Sequence, residues 1–342
     1  MTFPVRIDLK DATTFPSRRV EEWKYTDLRK FLRETPPASP EATVAPGGPF
    51  AALGGDELTF VNGRCDGFPG LIAEGEGDHV QRLRFVSTGE GTGHQARCAI
   101  EVKAGARLLL LESYEGQADG YVSNVALDIS LGEKACLVRI VLTDEAAGGI
   151  SLSRADVRLG RKADFIQTTL TSGAKLLRQE THVAHPGAAF VHIDGLYVLD
   201  GKRHADLTTT VEHTGTDGIT SQLTKGVVKD EARGVFQGQI VVREGADGTD
   251  ARMGHHALIL SDRGEVDAKP ELEIYADDVA CAHGNTVGSL DESALFYMRS
   301  RGIPEAQARA MLTDAFLGEV TDRIGREDVR DLCRAWLAER LA

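Results

Sequence analysis

From Glu57 to Cys281 the chain alternates short apolar runs with turn-forming residues. LTFVN, RLRFVS, ARLLLLESY, VALDISL, CLVRIVL, DFIQTTLT, AAFVHIDGLYVL, DLTTTVEH, VFQGQIVV, HHALILS and ELEIYA follow one another, rich in Val, Ile, Leu and Thr. Gly, Asp, Asn or Ser interrupts them about every 8–12 residues, the spacing of an all-β architecture. About 220 residues of such strands exceed the ~100 of an ordinary sandwich. A solenoid of stacked coils, at roughly 20–30 residues per coil, accommodates them. No exact repeat is visible, so the pattern alone leaves a large barrel or double sandwich open.

Two helical zones flank this core. In SRRVEEWKYTDLRKFLR, residues 17 to 33, the apolar positions Val20, Trp23, Tyr25, Leu28, Phe31 and Leu32 roughly follow helical spacing. The Pro- and Gly-rich stretch PPASPEATVAPGGP, residues 36 to 49, reads as a linker. After the core, Ser289 and Glu292 suit a capping box before a helix that stops at Gly302, and Pro304 sits where the next begins. Ala308, Leu312, Phe316, Val320 and Ile324 form one apolar stripe. Val329, Leu332, Cys333, Trp336 and Leu337 mark a final helix, which can pack on the preceding one or face a partner. The expected division is a helical segment over 1–35, a linker over 36–56, a β core over 57–288 and a helical domain over 289–342.

Composition narrows the function. The 342 residues carry 39 Lys and Arg against 52 Asp and Glu, a net charge of -13. Nucleic-acid binding is displaced counterions on a basic surface, so it is not expected. No apolar run approaches the roughly 18 residues of a membrane span, and the first residues lack the apolar stretch of a secretory leader. Five scattered cysteines without a CxxC pair suit free thiols in a reducing cytoplasm. The usual nucleotide-binding and hydrolase motifs are absent.

One local cluster stands out. In Cys281-Ala282-His283-Gly284 the thiol and imidazole lie two apart and share a face of an extended segment. Such a pair suits zinc, iron or an iron–sulfur species, but two ligands do not close a site. A buried thiol beside a hydrogen-bonded histidine accounts for the same residues. His204 and Asp206 share a face and read as a structural pair. His255 and His256 point apart. Asp277 and Asp278 are adjacent and make a poor acid/base couple, and a Cys281–His283–Asp278 triad lacks the geometry that activation needs.

The stretch KPELEIYADDVACAHGNTVGSLDESALFYMRSRGI, residues 269 to 303, resembles the SufB/SufD family of iron–sulfur cluster assembly proteins, and within it the SufD-like branch. That branch carries a P-x-LEI-x-ADDV-x-C-x-HG signature followed by LFY-x-x-SRG. Residues 192 to 213, 221 to 242 and 18 to 31 are similar to the family as well, so the likeness spans most of residues 16 to 320. It implies a mainly β protein: a right-handed parallel β-helix core flanked by N-terminal and C-terminal α-helices. It further implies a non-catalytic scaffold subunit that pairs with a SufB-like paralogue and docks a SufC-like ABC ATPase. No tightly bound cofactor is implied, only a transient iron–sulfur cluster at the subunit seam. Cys281 and His283 match the motif's metal half-site, completed by the partner. Phe296, Tyr297, Arg299, Arg301 and Gly302 match the helical stretch near the ATPase dock. An isolated subunit of this kind is expected to pair with itself. The region before the β core looks short for the family, while Cys65, Cys98, Cys136 and Cys333 match no functional cysteine and read as core thiols. Two other classes stay open: a free-standing β-helix enzyme, such as a metal hydrolase or polysaccharide lyase, and a homodimeric adaptor for the ATPase that never touches the cluster.

Overall fold

The apolar runs become strands because inward-facing Val, Ile, Leu and Phe alternate with outward positions at the period of two that an extended chain imposes. The computed structural model describes residues 6–65 and 70–341. Among these, seventeen strands run from β1 (Asp56–Val61) to β17 (Ala280–Gly288), and all pair in parallel. Odd-numbered strands make a nine-stranded sheet and even-numbered strands an eight-stranded one, each strand bonding to the one two places on. This is a parallel β-solenoid of about eight coils, mainly β with helices at the termini.

The interior changes character along the axis. The first coils are filled by apolar side chains such as Leu83, Ile100, Leu110, Ile129 and Phe165. Farther along, a polar layer forms around Arg139, which pairs in bidentate fashion with Glu112 at 2.8 Å and donates to Gln167 Oε1 at 2.7 Å. Gly226 and Gly234 lie against the Tyr197 ring; a Cβ on Gly226 would meet it at 1.9 Å, so only glycine fits there.

The outer faces of the two sheets are covered differently. Helices α3 (Glu305–Asp322) and α4 (Glu327–Leu341) lie over the odd-numbered sheet, burying Leu317, Val320, Ile324, Val329, Cys333 and Trp336 against Leu170, Leu196 and Val227. Lys225 of β13 (Ile219–Val228) holds Glu319, and Arg323 reaches Asp194 at 3.0 Å. The N-terminal segment covers the even-numbered sheet. Trp23 stacks on Arg178 at 4.2 Å, and Thr26 Oγ1 donates to Asp206 while accepting from His204 Nε2 at 3.1 Å.

Several expectations need correction. Residues 17 to 33 form no continuous helix. They make a 3-10 turn at Glu21–Trp23 and one short helix, α1 (Leu28–Phe31), because burying Trp23 and Leu28 on the sheet overrides helical periodicity. The Pro-rich stretch touches the core at a few points, with Ala38 bridging Gly93 and Ser39 buried, while most of its other residues are exposed. The cap of α2 (Glu292–Ser300) is Asp291, whose carboxylate accepts from Ser293 and Ala294, rather than Ser289. Cys98 and Cys333 are buried, with burial pushing each thiol up to about 12, but Cys65 and Cys136 are only half-buried.

The fold also sets a pH dependence. His204, His213 and His255 are buried, and burial holds their imidazoles neutral down to about 4, about 3 and about 4 respectively. An unfolded histidine takes its proton near 6.5. Because the folded values are depressed, the unfolded chain binds protons first as pH falls below about 6.5, and stability present above that pH is lost down to about pH 4. Each histidine contributes a slope of up to about 1.4 kcal/mol per pH unit in that window. The Glu145 and Asp164 carboxyls, pushed up by burial, oppose this trend, while His94, held neutral down to about 4, adds to it. The urea midpoint is therefore expected to drop steeply between pH 6.5 and 4.5; a flat profile would contradict the burial of neutral imidazoles.

Candidate functional site at the open end of the solenoid

The last coil is where the repeat stops. Strand β16 (Glu265–Ile274) pairs on one side with β14 (Arg233–Val242), and β17 on one side with β15 (Asp250–Ile259); neither has a strand beyond it. Ala280 donates its N–H to Thr249 O. By the alternation along a strand, the N–H groups of Cys281, His283, Asn285 and Val287 face away from β15. Pro270 in β16 suits an edge position, but β17 carries neither Pro nor Lys to blunt its edge.

The side chains of this coil continue the inward face. Cys281 sits opposite Ala251, His283 opposite Met253 and Asn285 opposite His255, and all three of those partners are buried. Cys281 is half-buried against an apolar layer that includes Phe236, Ile240, Met253 and Leu272, whereas His283 is exposed. Burial pushes the Cys281 thiol up, with Asp250 adding to it and the Ala251 N–H acting against it. The thiol is thus protonated at neutral pH, and any metal that took it as a ligand would have to displace that proton.

Behind this edge lies a chain of hydrogen bonds that the sequence pattern did not reveal. His255 donates from Nδ1 to Asn285 Oδ1 at 2.7 Å and accepts at Nε2 from the Tyr197 hydroxyl at 3.0 Å. Its ring stacks on Phe236, centroids 4.8 Å apart. His256 points the other way, to Thr286 Oγ1 at 2.7 Å, so the two histidines do diverge. Asn285 lay in the quoted motif, but only strand register shows that it fixes the buried imidazole beneath the edge.

The remaining candidates fall apart from this site. His204 and Asp206 serve the docked N-terminal segment. Asp277 and Asp278 lie in a bend between β16 and β17 rather than on a strand. Among the described residues no three His, Cys, Asp or Glu side chains gather around a metal-sized site, so Cys281 and His283 offer two ligands at most. On α2 only Leu295 is buried, while Phe296 is 73% and Tyr297 59% exposed. Arg301 lies over the Tyr297 ring at 5.1 Å, Arg299 pairs with Glu305 at 3.3 Å, and Gly302 ends the helix at a φ of 87°.

A two-sheet parallel solenoid with an open Cys/His edge and a C-terminal helical layer defines a class, and comparison with known proteins identifies it. Residues 85–316 match the family described as SUF system FeS cluster assembly, SufBD core domain. The chain belongs to the SufB/SufD family, and within it is SufD-like. It is 29% identical over 384 residues to the iron–sulfur cluster assembly protein SufD of Escherichia coli, covering 96% of this chain and 90% of that one. A SufBD family protein of Synechocystis is 31% identical over 240 residues, 67% of this chain and 53% of the relative. The SufD of Bacillus subtilis is 34% identical over 130 residues, 38% of this chain and 30% of the relative. No helix among the described residues is long and apolar enough to cross a membrane.

Proposed function

We propose that this chain is a non-catalytic scaffold subunit of the SUF assembly complex. It pairs through its last coil with a SufB-like paralogue, and docks a SufC-like ABC ATPase through the helical region that exposes Phe296 and Tyr297. The iron–sulfur cluster is cargo, held transiently at the seam. The observation that carries this reading is the unpaired β17 edge with Cys281 and His283 on its inward face. A thiol and an imidazole make half a site, so a cluster is held only when a partner strand supplies the rest, and separation of the subunits releases it. The exposed Phe296 and Tyr297, beside Arg299 and Arg301, have the aromatic and Arg character of interface anchors. Isolated, the chain can use the same edge to pair with a second copy. Cys98, Cys136, Cys281 and Cys333 form no disulfide, which suits a reducing compartment such as the cytoplasm.

The test is anaerobic co-expression with the paralogue and the ATPase, comparing Cys281→Ser and His283→Ala with the parent. Loss of an outer-shell partner alone costs about 10–100-fold in metal affinity. Loss of a ligand is therefore expected to cut cluster content at least about ten-fold while both partners still co-purify. Unchanged cluster content would leave an adaptor that docks the ATPase without touching the cargo.

A further inference from the structure

The N-terminal segment does more than cover the even-numbered sheet. Between it and the coil corners lies a half-open cavity of about 660 Å³, whose lining includes neither Cys281 nor His283. It is lined by eight Lys or Arg residues and three acidic ones, in a chain whose net charge is -13. Four of the cations, Arg18, Lys24, Lys30 and Lys175, have no ion pair among the described residues. Others are partly neutralised: Arg233 by Asp267 at 2.6 Å and Arg263 by Glu231 at 2.8 Å.

The arrangement follows from the solenoid. Lys175, Arg203 and Arg263 stand just before, and Arg233 at the first position of, four successive even-numbered strands, which stack about 4.8 Å apart. That makes a ladder of cations on one side of the cavity. Arg18, Lys24 and Lys30 face it from the other side, on a segment pinned by Trp23 over Arg178 and by Thr26 on Asp206. Like charges gathered this way repel one another, and a bound anion relieves that repulsion. Two half-buried rings, Tyr25 and Phe31, line the same cavity. The volume falls within the range of about 300–1,000 Å³ typical of small-molecule sites.

We propose that this cavity binds a small nucleotide-like polyphosphate, its phosphates on the cation ladder and its planar ring against Tyr25 or Phe31. The inference is independent of the role proposed for Cys281 and His283.

The test is calorimetric titration of the purified full-length chain, without partners and without magnesium, using ADP and inorganic pyrophosphate as probes. ADP is expected to bind more tightly than pyrophosphate, and binding is expected to weaken as salt rises from about 50 to 200 mM. The double variant K30Q/K175Q, both exposed side chains, is expected to weaken ADP binding at least about ten-fold. Tyr25→Ala is expected to weaken ADP but not pyrophosphate. No heat of ADP binding up to about 1 mM, or equal affinity in K30Q/K175Q, would overturn the site. Equal affinity for the two probes would overturn the assignment of a ring.

Discussion

Arg139→Met is expected to destabilise the chain by about 3–5 kcal/mol, the cost of leaving a buried charge without its partner. Arg139 lies inside the solenoid, 3% exposed, and its guanidinium satisfies both oxygens of Glu112 and the side-chain oxygen of Gln167. Tyr114 also donates to Glu112, at 2.6 Å, and cannot by itself compensate a carboxylate that is 0% exposed. Native domains keep only about 5–15 kcal/mol of net stability, so the loss is a large share of the whole. The urea midpoint should fall with an unchanged m-value. The double variant Arg139→Met with Glu112→Leu should regain most of the loss, because two apolar side chains of similar volume leave no charge unpaired. A single-variant loss below about 1 kcal/mol would show that water reaches this layer.

Val287→Pro is expected to leave the chain folded and to weaken pairing at the open end at least about ten-fold. Val287 is 44% exposed, and its N–H faces away from β15, so proline removes no hydrogen bond within the chain. Its neighbour Thr286 is already extended, as the residue before a proline must be. A partner strand, by contrast, would lose a donor and meet the pyrrolidine ring. Sedimentation of the variant with and without the SufB-like paralogue reads the effect, and an unchanged circular dichroism melt excludes misfolding. Pairing at parental affinity would mean that the subunits meet through some other surface.

The β core was legible because inward Val, Ile, Leu and Phe recur at the period of two, as at Val125, Leu127, Ile129 and Leu131. Its coiling was less so. Asp78 pairs with Arg107, 29 residues on, Asp164 with Phe190, 26 on, and Ile219 with Asp250, 31 on. Turn lengths vary freely at the corners, and any apolar side chain fills an inward position, so no exact repeat survives in the sequence. The N-terminal segment misled for a related reason: Trp23 and Leu28 are spaced by the sheet they cover, not by a helix of their own. At the site, the shared face of Cys281 and His283 followed from alternation alone. That they stand on an unpaired edge, with Asn285 fixing His255 beneath, is a property of register between strands about 30 residues apart, which no local pattern encodes.

The central claim is that β17 is a docking edge which a partner strand completes. Amide hydrogen exchange measures this directly, comparing the dilute chain with its complex with the SufB-like paralogue. The account predicts that the amides of Cys281, His283, Asn285 and Val287 exchange freely alone and become strongly protected on pairing, while those of Ala280, Ala282 and Thr286 change little. Unchanged exchange along Ala280–Gly288 in a complex that has formed would contradict it.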